Sequence, residues 1–487
     1  MNSVSKKQFS NGVKWKTINL VLSKGLSFIA SIIIARLIEP EHYGYMAIWS
    51  VILSFCDMIV IGGLDTVLVQ KEKLQDEEWK TGFTFSLYKA IVISLIIIGI
   101  APYIAEFYNI PELNLLIKIS CIDLIAQPFI FTGVAKCSRK LDFKKIFFSD
   151  FVATCFGAIV SLICIYGKKN VLVLILNNMV HQAIYGLLLI ILQRDKIGIG
   201  IKKSSLKSIY FDGVKAMSNG VLDLFTSSIN NLYMGKKWTP IEVGYNNRAQ
   251  SLVQILGVET YNVISNILLP TFSSYQSQKD KLKGITRIMV SLSTYIMFPL
   301  MFGTAVCAKN IILFLFTEKW IQAVPFLQIA CIYYAFNPLR QLCMNLNYSY
   351  GGYKNNNIIE IIRFILTVTV IVVFQVFDFK SFNILVLCGA ITTVIIAIIY
   401  IYSVVKIINY SLLEIIEDII PNLIMTVITL LPLYYISYRF GYGIVVTFAQ
   451  VLLAVVIYIF LSFISKNKIF VYLIISFEEI IKKKWTK

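Results

Sequence analysis

Apolar runs of membrane-spanning length alternate with short polar, Gly-bearing or Pro-bearing breaks from one end of the 487-residue chain to the other. A helix rises about 1.5 Å per residue, so about 20 apolar residues cross the ~30 Å hydrocarbon layer of a bilayer. Read against their breaks, the runs fall near 13–38, 43–70, 80–107, 113–135, 146–166, 171–192, 213–236, 243–273, 284–307, 320–349, 357–377, 382–405, 419–438 and 441–463. The pattern predicts an all-α polytopic membrane protein of about fourteen transmembrane helices, with no length left for a soluble domain.

Composition strengthens that reading. The chain is 57% hydrophobic and 15% charged, with a mean hydropathy of +0.74, whereas soluble domains are about half apolar and a quarter charged. The net charge of +18 does not point to nucleic acid, because the Lys and Arg residues lie between the apolar runs and form no basic face on a soluble fold. Anionic lipid headgroups are the partner it implies. The nine cysteines are odd in number and never spaced CxxC, which argues against a disulfide framework or a metal site. The start, MNSVSKKQFSNGVKWK, leads into an apolar run without a small-residue cleavage site and is not expected to be removed.

Charge also sets orientation. KCSRKLDFKK (136–145), the stretch from Arg194 to Lys215, KDKLKGITR (279–287) and the terminal KKKWTK all fall on one side when the runs alternate across the membrane. The positive-inside rule places that side, and both termini, in the cytoplasm. The tail over 466–487 mixes apolar and charged residues, a pattern that fits either a basic amphipathic helix in the interface or a snorkelled Lys-rich end.

A shift of 200 residues sets Arg36, Pro40, Gly44 and Tyr45 on Lys236, Pro240, Gly244 and Tyr245, and a shift of 210 sets Ile119, Cys121, Ile122 and Pro128 on Ile329, Cys331, Ile332 and Pro338. Both matches follow the same number of runs, which predicts an internal duplication. Two six-helix repeats share one orientation because six is even, and parallel repeats suit a central cavity that opens to alternate sides. The expected organisation is an N-terminal lobe over 1–200, a second lobe over 201–410, two additional transmembrane helices over 411–465, and the tail.

The chain holds two histidines, 42 and 181, and no HExxH, Gly-rich phosphate loop or G-x-S-x-G, so neither an enzyme nor an ATP-driven pump is expected. The informative residues are charges inside the runs, each of which costs about 2.5–3.5 kcal/mol at mid-membrane unless it faces protein or water. The cations Lys24, Lys89 and Arg340 are candidates to clamp an anionic group. The carboxylates Asp57, Asp123, Asp223 and Glu259 are candidates to bind Na⁺ or H⁺, with Asp65 one or two turns nearer the cytoplasm. Structural ion pairing between helices is the competing role for each. Lys118, Lys215, Glu360 and Arg363 stand close enough to helix ends to snorkel. The repeat does not equate these charges, since Lys24 falls on Leu224 and Asp57 on Gly257. Pro102, Pro128, Pro270, Pro299 and Pro338 are expected to bend helices by removing a backbone donor.

ARLIEPEHYGYMA (35–47), GLDTVLVQKE (63–72), KLDFKK (140–145), GYNNRAQSLVQILG (244–257), ISNILLPTFSSYQ (264–276) and FTEKWIQAVPFLQIACI (316–332) occur in that order. The set resembles the polysaccharide-exporter branch of the multidrug/oligosaccharidyl-lipid/polysaccharide superfamily and is similar to Wzx-type flippases of the colanic and teichuronic acid kind, over roughly 5–440. The resemblance implies two six-helix lobes, alternating access in the bacterial cytoplasmic membrane, no cofactor and no nucleotide hydrolysis. It implies an undecaprenyl-pyrophosphate-type lipid-linked oligosaccharide as cargo, destined for surface polysaccharide, with H⁺ or Na⁺ as driving ion and a polysaccharide polymerase as a partner. Arg248, inside NNRAQS, is the one charged motif residue given a substrate-binding expectation. A cation-coupled multidrug exporter of the same fold is the alternative. It predicts a site of carboxylates and aromatics, against which Lys24 and Arg340 weigh. A glycan-polymerising membrane enzyme would need a large external loop rich in Arg or His, and every external loop is short.

Overall fold

The computed structural model describes residues 6–71, 74–167, 170–193, 198–274 and 278–475, and every regular element among them is a helix. The chain forms two compact units, Met1–Gly244 and Tyr245–Lys487. The first contains α1 (Lys6–Leu37), α2 (Pro40–Ile61), α3 (Leu64–Gln70), α4 (Asp76–Tyr108), α5 (Glu112–Arg139), α6 (Phe143–Gly167), α7 (Leu172–Gln193) and α8 (Lys203–Lys237). Helix α9 (Pro240–Ser274) opens at the boundary. The second unit continues with α10 (Lys279–Val306), α11 (Ala308–Phe316), a 3₁₀ segment (Glu318–Ala323), α12 (Val324–Ser349), α13 (Tyr353–Val376), α14 (Phe382–Ile408), α15 (Leu412–Phe440) and α16 (Ile444–Ile464).

Among the described residues, eleven helices are long and apolar enough to cross a membrane: α1, α2, α4 to α7, α10 and α13 to α16. Each apolar run read from the sequence overlaps a helix, with differences in ends and interruptions, and the structure adds α11 (Ala308–Phe316), which no run covered. The run over 43–70 is divided at Gly62 and Gly63, whose φ angles of +58° and +72° lie in the left-handed region. Two such residues in succession require glycine, because a Cβ there meets the carbonyl oxygen that follows. The chain then turns into α3, so Asp65 stands exposed in the first turn of a new helix rather than inside the second span.

Helix α3 is too short to hold itself together. It buries Leu64, Val67 and Leu68 against Phe131 and Ala135 of α5 and Ile209 of α8. Its terminal carbonyls lack helical partners, and Arg139 Nη1 supplies them by donating to Leu68 O, Val69 O and Lys71 O at 3.2, 3.2 and 2.6 Å.

The core of the first unit lies between α2, α4 and α5, where Ile48, Trp49, Ala101, Leu113, Leu116 and Leu124 are buried together. Helix α2 also runs along α8 at very close range. A Cβ added to Gly63 would overlap the Gly213 carbonyl, and one added to Gly213 would lie 2.6 Å from Gly62 O. Between the helix ends the Phe55 and Phe225 rings meet with centroids 5.0 Å apart. Towards the other end, a Cβ on Gly44 would overlap the Pro240 carbonyl and one on Gly244 the Pro40 carbonyl.

In the second unit Leu339, Leu342 and Leu346 of α12 pack with Ile359 of α13 and with Ile396 and Tyr400 of α14. The last two helices are tied to α10 and α11 by polar contacts at several levels. Arg287 donates to Asp418 Oδ2 at 2.8 Å and Glu414 Oε1 at 3.0 Å, Asn422 donates to Ser291 O at 3.0 Å, Tyr295 and Ser462 share a hydrogen bond of 2.9 Å, and Asn310 donates to Gln450 at 2.7 Å. Of the tail over 466–487, residues 466–475 are described. They are helical over 468–475, with Ile469 buried beside Tyr295, Met425 and Tyr458.

Candidate functional site

The first unit brings together polar and charged groups from five helices. Asp123 of α5 is 2% exposed. Its Oδ2 accepts a hydrogen bond of 3.0 Å from Asn178 Nδ2 on α7, while its Oδ1 is buried without a hydrogen-bond partner. Asp57 also presents a buried, unpartnered Oδ1, on α2, which packs against α5. One turn along α7 from Asn178, His181 Nε2 lies 3.0 Å from Asp150 Oδ1 of α6. The fifth contribution is Lys24, an exposed side chain of α1, the helix that packs along α6.

Local sequence explains how these groups meet. Gly157 lets α6 approach α7 so closely that a Cβ there would lie 2.9 Å from Asn177 O, and this seats Asp150 and His181 on facing turns. The Tyr185 ring, one turn beyond His181, lies 5.7 Å from its imidazole and walls that side. Buried carboxylate oxygens without donors are costly as anions and favour a proton or a cation as partner.

The remaining sequence candidates fall elsewhere. Lys89 of α4 donates to Ile59 O at 2.8 Å and stands 5.1 Å from the Phe85 ring centroid. A cation there offsets the negative C-terminal end of α2. Asp223 is exposed on α8. Glu259 belongs to α9, in a stretch whose side chains lie outside the described residues. Arg340 is 6% exposed on α12, where it donates to Glu360 Oε1 at 2.8 Å and Asn337 Oδ1 at 3.1 Å. Glu360 also lies 2.8 Å from Arg363 Nε and accepts from Tyr400 OH at 2.9 Å. Glu360 and Arg363, expected to snorkel at a helix end, are instead buried at 6% and 7% exposure, because the carboxylate sits between two guanidiniums.

Arg248 of α9 lies with its guanidinium 4.3 Å from the Phe316 ring centroid, a stacking geometry favourable to arginine. Beside it Tyr245 OH donates to Lys319 O at 3.2 Å, and the Tyr245 and Trp320 rings meet edge-on at 5.9 Å. The GYNNRAQ and FTEKW motifs therefore close on each other.

Asp150, Asn178 and His181 were not among the residues singled out from sequence. The available signals were an aspartate four residues into the run over 146–166 and a histidine inside an apolar run of a chain with only two histidines.

Comparison with known proteins follows this geometry. The profile of the family described as "Polysaccharide biosynthesis protein" matches residues 33–325. An uncharacterized membrane protein in the cps region of Klebsiella pneumoniae is 24% identical over 343 residues, covering 68% of this chain and 70% of that one. Lipopolysaccharide biosynthesis protein WzxC of Escherichia coli (strain K12) is 22% identical over 324 residues, covering 66% of each. Among solved structures, the lipid II flippase MurJ in an inward closed conformation superposes with a TM-score of 0.72 at 13% identity, over 92% of this chain and 98% of that one. The likeness to MurJ shows a shared fold.

Proposed function

Because the chain belongs to the polysaccharide biosynthesis protein family, whose profile covers 33–325, we propose that it turns a lipid-linked oligosaccharide over from the cytoplasmic to the outer leaflet of a bacterial cytoplasmic membrane. The cargo is a polyprenyl-pyrophosphate-linked repeat unit, and the movement is alternating access driven by an H⁺ or Na⁺ gradient. The reading includes fourteen spans, both termini in the cytoplasm, a six-helix repeat and delivery to a polysaccharide polymerase.

The observation that carries the site assignment is Lys24. It stands midway along a helix apolar enough to span the membrane, yet its side chain is exposed, and its helix packs along α6, which carries Asp150. An ammonium at that depth needs water or an anion, and a pyrophosphate provides several oxygens for it. Lys89, on α4 and donating to Ile59 O apart from the helices of Lys24 and Asp150, is kept as a second candidate for binding the anion. Arg340 and Arg248 are assigned structural parts, the first in its ion pair with Glu360 and the second in its stack on Phe316. Asp57 and Asp123 hold the driving cation, with Asp223 and Glu259 as further candidates.

The test is surface glycan in a strain carrying Lys24→Ala in place of the native chain. Lipid-linked intermediate should accumulate on the cytoplasmic face while the protein remains in the membrane at native abundance, and Lys24→Arg should retain more export than Lys24→Ala. Unchanged surface polysaccharide in Lys24→Ala would refute the anion site.

A further inference from the structure

We infer that a cavity between α15 and the end of α16 binds one anionic glycerophospholipid, its phosphate at Lys466 and Lys468 and an acyl chain along α15. This lipid is a resident of the surrounding leaflet, separate from the cargo. The cavity has a volume of about 490 Å³, within the ~300–1,000 Å³ usual for small-molecule sites. Its polarity changes with depth. Asn467 Nδ2 donates to Asn422 Oδ1 at 3.0 Å and Ser465 Oγ donates to Met425 Sδ at 3.4 Å, which sets Lys466 and Lys468 near the level of Asn422. Ile428 and Leu461, also in the wall, then lie about 9 Å deeper at ~1.5 Å of rise per residue. From Glu417 to Ile428 the wall on α15 runs for about 16 Å, close to one leaflet of a ~30 Å hydrocarbon layer. Charge at one end and apolar side chains below it match an amphiphile.

The way α16 stops places the two lysines. Lys466 has a φ of +48°, and the Asn467 N–H returns to Ser462 O at 3.1 Å, a turn that closes the helix end. Asn467 is thereby buried, accepting at 2.9 Å from the Ile469 N–H, and Lys466 and Lys468 on either side of it are both exposed. The rest of the polar wall is already satisfied. Asn422 donates to Ser291 O, and Asp418 accepts from Arg287 and from Tyr410 OH. Glu417 is 64% exposed and meets Arg287 at 3.4 Å. At this end Lys283, Arg287, Lys466 and Lys468 stand against Glu414, Glu417 and Asp418, four cations to three carboxylates, which leaves +1. A headgroup with one phosphodiester charge and no amine balances that, whereas a zwitterionic headgroup leaves it uncompensated.

Native mass spectrometry of the full-length protein in detergent tests this by counting lipids retained on titration with phosphatidylglycerol or with phosphatidylcholine of the same acyl chains. The native protein should retain one phosphatidylglycerol in preference to phosphatidylcholine. Lys466→Gln with Lys468→Gln should weaken that retention about five-fold or more, the factor one lysine supplies against an anionic headgroup. Lys203→Gln with Lys207→Gln, at exposed positions on α8, removes the same charge elsewhere and should retain phosphatidylglycerol as the native protein does. Ile424→Trp with Ile428→Trp fills the apolar end and should lower retention of both lipids. Equal retention of the two lipids by the native protein, or equal loss in the two lysine variants, overturns the headgroup site, and unchanged retention in the tryptophan variant overturns the acyl-chain placement. Displacement of most of the phosphatidylglycerol by an equal concentration of undecaprenyl phosphate would assign the cavity to a polyprenyl anchor and overturn the proposal. The assay reads binding alone, so its failure leaves the turnover reading untouched.

Discussion

Gly44 and Gly244 occupy reciprocal positions. Each stands four residues after the proline that opens its helix, and each leaves room for the carbonyl of the other's proline, so that a Cβ on either would overlap backbone. These are two of the pairs that a 200-residue shift brings into register. The sequence segments that correspond by that shift thus lie against one another within the first unit.

Gly44→Ala and Gly244→Ala are expected to destabilise the protein by about 1–3 kcal/mol each, because the obstructing atoms are backbone and cannot rotate aside. Melting of the detergent-purified protein, followed by size-exclusion recovery after heating, measures this. Gly25→Ala and Gly99→Ala are the controls, since a Cβ at either meets nothing within 4 Å. Equal melting of all four variants would contradict the close approach.

The Arg340–Glu360 pair predicts a non-additive cycle. Arg340→Met leaves Glu360 buried beside a single guanidinium, and Glu360→Gln leaves two guanidiniums around an amide. Either change should cost about 3–5 kcal/mol, while the double variant should recover part of that loss. The same melting assay with the two single variants and the double gives the coupling, and strictly additive losses would contradict a direct ion pair.

Arg248 and Lys24 should fail in different ways. Arg248→Ala removes the stack on Phe316 that joins two motifs, so membrane abundance should fall and Phe316→Ala should act alike. Lys24→Ala should leave abundance near native and reduce export. Immunoblots of membranes beside surface-glycan staining separate the two. Normal abundance in Arg248→Ala would remove its structural assignment.

Topology gives a further check. With the nine native cysteines replaced, cysteines at Asn109 and Lys380, both exposed, should react with an impermeant thiol reagent in intact cells. Cysteines at Ser138 and Ser204 should react only after permeabilisation. Labelling of Ser138→Cys from outside would reverse the orientation.

Helix positions were readable from the chain because hydrocarbon thickness imposes a length on every apolar run. The division at Gly62 and Gly63 was not, since hydropathy continues across it and only backbone conformation marks it. Lys24, Asp57 and Asp123 stood out because a charge in an apolar run is conspicuous one residue at a time. Their neighbours were harder to find. Asp150 lies near the start of its run, and only the contact across α6 and α7 shows that it meets His181. For the same reason Glu360 reads from the sequence as an end-of-helix anion, although Arg340, 20 residues earlier, lies beside it. Sequence spacing records period and length, whereas partners from separate helices depend on packing.

The fastening of α15 and α16 also bears on how the chain can be shortened. A truncation after Ile408 would leave Arg287 without Glu414 and Asp418, Asn310 without Gln450 and Tyr295 without Ser462. These groups would then be left without the charge and hydrogen-bond partners that α15 and α16 supply. Helices α10, α11, α15 and α16 are thus held as a single inheritable piece, and variants that shed the C-terminal pair would have to replace a charged arginine and an amide with apolar side chains in the same step.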